Sequence, residues 1–123
     1  MGNPKGVMPP EAKNLNPPKY DPISLDELSR SDGSDPSRPT LVAIKGVVFD
    51  VSGNPAYKPG GSYNVFAGKD ASRALACSSL KAEDCRPDWG DLEEKEKGVL
   101  EEWFAFFSKR YNVVGMVAGA TNC

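Results

Sequence analysis

Two tyrosines on either side of a glycine-rich loop constrain the fold of this chain most strongly. Tyr57 and Tyr63 flank the run Lys-Pro-Gly-Gly-Ser, with a β-branched stretch before them and an alanine-rich stretch after them. Proline and glycine suit neither a helix interior nor a strand interior, so this run predicts a loop. The chain contains no histidine, so any metal site must use tyrosine, cysteine, methionine or carboxylate ligands. The tyrosine pair is therefore the first candidate for a functional site.

The segments before this loop predict a small β-hairpin and a short helix. Residues 40–45 and 47–51 are rich in β-branched side chains, and Gly46 between them allows a tight reversal. Ser24 followed by Glu27 predicts a capping box that opens a helix from Leu25 to about residue 30. Strands and helices together indicate a mixed α and β fold.

The segments after the loop predict two more helices and a last strand. Asp70 is expected to cap a helix over residues 71–76, and a long helix is expected from Asp91 to about Arg110. The long helix has apolar residues at three- and four-residue steps, which predicts one buried face formed by Val99, Leu100, Trp103, Phe106 and Phe107. Residues 113–117 predict a short closing strand.

The two ends of the chain predict tails around a single domain. The first 22 residues hold Pro4, Pro9, Pro10, Pro17, Pro18 and Pro22, with few large apolar side chains. Such a composition cannot bury enough surface to offset the entropy of ordering. We therefore expect a disordered tail over residues 1–22, a domain over residues 23–118 and a flexible tail over residues 119–123.

Composition argues against several classes of function. A net charge of −2 and the lack of a basic stripe argue against nucleic acid binding, and no apolar run reaches the roughly 18 residues of a membrane span. Without histidine, no Ser-His-Asp or Cys-His catalytic group can form. Cys77, Cys85 and Cys123 are an odd number of cysteines and are expected to be free thiols. No catalytic residues are predicted.

The run Phe-Ala-Gly-Lys-Asp-Ala-Ser-Arg-Ala-Leu over residues 66–75 is a highly specific motif. It resembles the membrane-associated progesterone receptor (MAPR) family, whose members have cytochrome b5-like haem/steroid-binding domains. The resemblance extends over about residues 22–117 and includes the segments 24–28, 32–36, 41–46, 49–51, 57–63 and 109–115. It implies an α+β, cytochrome b5-like fold in which a small sheet and helices form a cleft.

The resemblance also implies a ligand and site residues. Relatives are thought to bind haem b through a tyrosine, and Tyr63 matches the axial ligand of the ferric iron. Tyr57 matches a tyrosine that hydrogen-bonds near the haem, while Arg110 and Tyr111 match a basic residue and a tyrosine that contact it. Arg110 stands where relatives usually carry lysine. A phenol has a pKa of about 10, and ferric iron lowers it by stabilising the phenolate, an anionic donor that disfavours reduction.

Two functions follow from the resemblance. The first is a haem-binding protein without enzymatic turnover that supports or regulates haem-thiolate monooxygenases of sterol metabolism. The alternative is a steroid- or lipid-binding adaptor that works without haem. The expected location is the cytoplasm, or peripherally the cytosolic face of the endoplasmic reticulum. A homodimer is left open.

Overall fold

A computed structural model describes residues 19–118, and its centre is a four-stranded sheet in the order β1-β4-β3-β2. Strands β2 (Leu41–Ile44), β3 (Val47–Asp50) and β4 (Asn112–Val117) are antiparallel neighbours, whereas β1 (Pro22–Ile23) pairs with β4 in parallel. The predicted hairpin is confirmed. Its two-residue turn has positive φ at both Lys45 (55°) and Gly46 (77°), as in the type I′ turns that match strand twist.

Three helices pack around the sheet within residues 19–118. They are α1 (Leu25–Ser29), α2 (Ser72–Ala76) and α3 (Glu94–Arg110), and short 3₁₀ turns cover Pro55–Tyr57, Asn64–Phe66 and Ala82–Asp84. The predicted cap of α1 is present, because the Ser24 side chain accepts a hydrogen bond from the Glu27 backbone N–H at 3.0 Å. None of the helices in residues 19–118 combines the length and apolarity that a membrane crossing requires.

The sheet separates two hydrophobic cores. Alternate residues of β2 point to opposite faces, so Val42 and Ile44 join the larger core and Ala43 joins the smaller one. The larger core also contains Leu100, Trp103 and Phe107 of α3, together with the tyrosines. Strand β4 has a β-bulge, one extra residue opposite Val48 and Phe49 of β3. The bulge shifts the register, so the alternation of β4 side chains between the two faces of the sheet changes there by one residue. The candidate site lies in the larger core, because that core contains Tyr57, Tyr63 and Tyr111.

Residues 19–23 lie against β4. The Lys19 backbone N–H donates to the Val113 carbonyl at 2.9 Å, and the Met116 N–H donates to the Asp21 carbonyl at 2.9 Å. The predicted domain boundary between residues 22 and 23 therefore falls inside β1. Proline is tolerated there because β1 is an edge strand. The rest of the predicted N-terminal tail, residues 1–18, and the predicted tail 119–123 lie outside the described residues.

Three details of the helix predictions were wrong. Helix α3 begins at Glu94 rather than Asp91, because the backbone of the N-cap residue Glu93 is extended (φ −74°, ψ 163°). Its inward face includes Phe104 instead of Phe106, whose ring is half-buried. Helix α2 begins one residue later than expected, so the cap position is Ala71 and the Asp70 carboxylate accepts from the Ser72 N–H at 3.1 Å.

Candidate ligand site

The loop that carries two of the tyrosines is held by its own backbone. Asn54 caps the turn Pro55–Tyr57, because its side-chain oxygen accepts from the Ala56 N–H at 3.0 Å. The Tyr63 N–H donates to the Ala56 carbonyl at 2.8 Å, which closes the loop on itself. A Cβ at Gly61 would lie 2.3 Å from the Ala56 carbonyl oxygen, so only glycine fits this crossing. Tyr57 and Tyr63 are thereby brought to one side of the loop.

The third tyrosine reaches the same place from the end of α3. Tyr111 is the C-cap of α3, and its N–H donates to the Phe107 carbonyl at 2.9 Å. Its ring packs against Phe107 with the centroids 5.0 Å apart. The helix and its C-cap therefore contribute Trp103, Phe107 and Tyr111 to the same core cluster as the loop tyrosines.

The three phenol rings form one aromatic cluster. The Tyr57 ring lies 5.9 Å from the Tyr63 ring and 6.4 Å from the Tyr111 ring, centroid to centroid. Tyr63 also contacts Phe66 at 5.4 Å and Trp103 at 6.1 Å. The Tyr57–Tyr111 and Tyr63–Trp103 contacts are edge-to-face, which aromatic quadrupoles favour, and the other two are tilted. Three of the four site residues proposed from the sequence thus lie together.

Tyr57 is the most deeply enclosed of the three. Its side chain is fully buried, whereas Tyr63 and Tyr111 each keep 6% of their surface exposed. The Tyr57 hydroxyl oxygen has no hydrogen-bond partner among residues 19–118. Burial raises the pKa of Tyr57 well above 10, and the neighbouring phenols Tyr111 and Tyr63 raise it further. Tyr57 is therefore a neutral hydroxyl that lacks a hydrogen bond within the described part of the chain.

Tyr63 and Tyr111 are also held in the neutral form. Burial raises the pKa of Tyr63 above its usual value. Burial raises the pKa of Tyr111 too, although a hydrogen bond from Asn54 and the charge of Arg110 partly oppose this effect. The Asn54 Nδ2 donates to the Tyr111 hydroxyl oxygen at 2.9 Å within the protein interior. At neutral pH the cluster thus contains three neutral phenols, and a nearby positive charge would favour the anionic form of any of them.

Arg110, the fourth predicted site residue, lies against the preceding turn of α3. Its guanidinium carbon is 4.4 Å from the centre of the Phe106 ring, and Nη1 donates to the Phe106 carbonyl at 3.3 Å. This stacking explains why Phe106 is half-buried on the flank of the helix. Arg110 is adjacent in sequence to Tyr111, so its charge lies close enough to affect that phenol.

Asn54 is the site residue that sequence reasoning missed. The dipeptide Asn-Pro is a common turn signal, so capping of the loop could have been read from the sequence. The hydrogen bond from Asn54 to Tyr111 could not be predicted from the sequence, because 57 positions separate the two residues.

Comparison with known proteins identifies the family. The model of the cytochrome b5-like heme/steroid-binding domain matches residues 24–101. This chain belongs to that family. Among its MAPR relatives, "Probable steroid-binding protein 3" of Arabidopsis thaliana is 50% identical over 96 residues, which are 77% of this chain and 96% of that protein. "Membrane-associated progesterone receptor component 2" of Homo sapiens is 40% identical over 97 residues, which are 76% of this chain and 43% of that protein.

A solved structure of a similar protein shows the same fold. An Arabidopsis thaliana protein described as having a cytochrome b5-like fold superimposes with a TM-score of 0.73 at 44% identity, covering 80% of this chain and 91% of that one. "Membrane steroid-binding protein 1" of Oryza sativa is 46% identical over 110 residues, or 88% of this chain. This MAPR chain spans about half the length of that relative, 47%. The predicted α+β, cytochrome b5-like fold is confirmed.

Proposed function

We propose that this domain binds ferric haem b with the Tyr63 phenolate as the iron ligand. One observation carries the proposal: the buried Tyr57 hydroxyl has no hydrogen-bond partner among residues 19–118, and its ring lies 5.9 Å from that of Tyr63. A buried hydroxyl without a partner costs roughly 1–3 kcal/mol. A neighbouring phenolate that accepts a hydrogen bond from the Tyr57 hydroxyl would remove this cost and so offset part of the penalty that burial places on the anion.

The donor set fits a haem iron held by oxygen. Tyr63 offers a hard anionic ligand in a chain without histidine, and tyrosine is an established haem ligand in proteins. Burial raises the pKa of Tyr63, so the phenol stays neutral until an electrophile binds it. When bound, ferric haem supplies the Lewis-acidic iron that stabilises the phenolate. Tyr57 would donate a supporting hydrogen bond to that phenolate, and Tyr111 and Arg110 would hold a polar edge of the ligand.

The ligand type limits what the domain does. An anionic phenolate stabilises ferric over ferrous iron, so the reduction potential is low and routine electron transfer is disfavoured. Haem carriage, haem sensing or support of a haem-thiolate monooxygenase of sterol metabolism suits such a site better than turnover of its own. A partner of this kind would place the domain in the cytoplasm or peripherally on the cytosolic face of the endoplasmic reticulum.

A haemin titration tests the proposal. The visible spectrum is recorded for the wild type and for Tyr63→Phe, with Tyr20→Phe as the control because Tyr20 is 58% exposed. We expect a phenolate-to-iron charge-transfer band in the wild type and in Tyr20→Phe, and its loss in Tyr63→Phe together with weaker binding. Equal haemin affinity and identical spectra for all three proteins would show that Tyr63 is not the ligand.

A second function, steroid binding without haem, is favoured by a specific observation. The cluster is mostly apolar ring surface from Phe66, Trp103 and Phe107, with only a few hydroxyl groups, as is common in ligand pockets. Relatives are also named steroid-binding proteins. Progesterone binding followed by tryptophan fluorescence distinguishes the two functions. Under haem ligation Tyr63→Phe loses the haemin band, whereas under the alternative the wild type binds progesterone and gives no such band.

A further inference from the structure

We infer that the connection between α2 and α3, residues 78–92, is a lid that opens before a ligand reaches the tyrosine cluster. This inference rests on the proposed function, since it takes that cluster as the ligand site. The cluster is closed to solvent, because Tyr57 is fully buried and Tyr63 keeps only 6% of its surface exposed. A haem or a steroid that contacts these rings therefore requires a surrounding segment to move.

The α2–α3 connection covers the larger core with little regular structure of its own. Within residues 78–92 the one regular element is the 3₁₀ turn Ala82–Asp84. The Cys85 thiol donates to the carbonyl of Val65, two residues after Tyr63, at 3.5 Å. Segments with few fully buried apolar side chains open at a lower free-energy cost than the core does. The side chains of the connection that pack against the larger core are only partly buried: Cys85, Trp89 and Leu92.

Arg73 of α2 holds this connection mainly through polar contacts. Its Nη1 atom donates to the Asp91 carboxylate at 2.8 Å and to the Asp88 carbonyl at 3.0 Å. Its backbone N–H lies in the first turn of α2, where no helical acceptor is available, and donates to the Arg86 carbonyl at 3.0 Å. The Asp91 side chain is 68% exposed, and exposed ion pairs contribute little to stability. The contact between α2 and the connection is therefore easily broken.

Lys45 in the hairpin turn makes the second contact with the connection. Its ammonium nitrogen lies 5.3 Å from the centre of the Trp89 ring and 5.3 Å from that of Phe104, and it forms an ion pair with Glu101 of α3. The Trp89 indole N–H is buried without a hydrogen-bond partner among residues 19–118. Such a donor costs free energy, and this cost disappears when opening exposes the N–H to water. The closed position thus carries a polar cost of its own.

Opening of the connection leads towards the proposed iron ligand. The larger core contains Leu75 of α2 and Trp103 of α3, so both helices joined by residues 78–92 line it. The Trp103 ring lies 6.1 Å from the Tyr63 ring, centroid to centroid. Release of the connection exposes this side of the core and gives a ligand a route to Tyr63. Closed and open forms then exchange, and the ligand binds the open form.

Amide hydrogen exchange of the full, ligand-free chain tests whether the lid opens. Asp91→Asn removes the ion pair with Arg73. Asp26→Asn is the matched control, because it breaks a comparably exposed ion pair with Arg30 and changes the net charge by the same amount. We expect the Arg73 amide to exchange roughly two- to fivefold faster in Asp91→Asn, as for loss of one exposed ion pair. The Leu75 amide, which is bonded within α2, should not change.

Stopped-flow binding of haemin tests whether opening admits the ligand. At saturating haemin the observed rate constant should approach the rate of lid opening. It should rise roughly two- to fivefold in Asp91→Asn and stay within about 1.5-fold of wild type in Asp26→Asn. Lys45→Gln should also accelerate binding, whereas Lys45→Arg, which keeps a cation over Trp89, should retain nearly the wild-type rate.

Three results would overturn the inference. The first is an Arg73 amide that exchanges no faster in Asp91→Asn than in Asp26→Asn. The second is faster exchange with an unchanged rate of haemin binding, which would mean that the ligand enters by another route. The third is an equal change in binding rate for both variants, which would mean that net charge governs it. A wild type without the Tyr63 charge-transfer band overturns the proposed function instead, and the ligand-free exchange then supports or overturns lid opening by itself.

Discussion

The carboxylate of Asp70 accepts a hydrogen bond from the backbone N–H of Gly46 at 3.1 Å, although the two residues belong to different elements. Gly46 lies in the turn between β2 and β3, and Asp70 directly precedes the capping residue of α2. The same carboxylate accepts from the Ser72 N–H at 3.1 Å and from the Ser72 hydroxyl at 2.5 Å. One buried side chain therefore fixes α2 against the hairpin, and through α2 the wall of the larger core.

Replacement of Asp70 should destabilise the domain. In Asp70→Asn, one acceptor oxygen becomes an NH₂ group that faces a backbone N–H, so a buried donor loses its partner. We expect the free energy of unfolding to fall by about 2–3 kcal/mol, measured by urea denaturation at neutral pH. Asp35→Asn is the matched control, because Asp35 makes the same contacts with Ser37 on the surface. An equal change in both variants would mean that burial of Asp70 adds nothing.

Two adjacent phenylalanines on α3 should differ strongly in their effect on stability. Phe107 is fully buried and contacts Phe49, Tyr57, Trp103 and Tyr111, whereas Phe106 is half-buried beneath Arg110. We expect Phe107→Ala to cost about 3–5 kcal/mol and Phe106→Ala to cost below about 1.5 kcal/mol, mostly from its contact with Arg110. Chemical denaturation of both variants measures the difference. Similar losses would argue against the observed inward face of α3.

Gly61 should be required for the tyrosine loop to close. A Cβ at this position would meet the Ala56 carbonyl oxygen at 2.3 Å, and that atom is backbone that cannot rotate away. We expect Gly61→Ala to lower the free energy of unfolding by about 1–3 kcal/mol. It should also weaken haemin binding, because the hydrogen bond from the Tyr63 N–H to the Ala56 carbonyl is disrupted. Gly53→Ala is the control, since a Cβ there meets nothing within 4 Å. Unchanged stability and haemin affinity in Gly61→Ala would contradict the loop geometry.

Alkaline pH should destabilise the ligand-free domain through its phenols. Burial raises the pKa of Tyr57, Tyr63 and Tyr111 above 10, so between that pH and their folded pKa values the native protein keeps protons that the unfolded chain has released. The free energy of unfolding must then fall as pH rises above about 10, by up to roughly 1.4 kcal/mol per pH unit for each phenol.

Urea midpoints measured between pH 8 and 11 check this dependence. Tyr57→Phe should flatten the decline, because it removes the phenol with the most strongly raised pKa. At neutral pH we expect the same variant to be neutral or slightly stabilising, since the hydroxyl it removes has no partner among residues 19–118. Tyr20→Phe should leave the slope unchanged because Tyr20 is exposed. Equal slopes in wild type and Tyr57→Phe would refute the link to Tyr57.

Much of the fold could be predicted from local sequence patterns. The hairpin, the capped helix α1, the loop between the tyrosines and most of α3 follow from turn residues, caps and periodicity, which act within a few positions along the chain. The motif of residues 66–75 indicated the family, which the comparisons then confirmed. The errors arose where distant contacts decide the outcome. Glu93 rather than a residue near Asp91 is the N-cap of α3, and the Asp91 carboxylate instead binds Arg73 of α2.

The sequence by itself determined which chemistry is available: no histidine, two tyrosines around a glycine-rich loop, and a third tyrosine at the end of a long helix. Only the tertiary structure decided how these groups relate. It buries Tyr57 without a partner among residues 19–118, joins Asn54 to Tyr111 across 57 positions, and sets Arg110 against Phe106. The physical reason is that burial and hydrogen-bond pairing depend on which segments the sheet and α3 bring together, and local patterns carry no information about those distances.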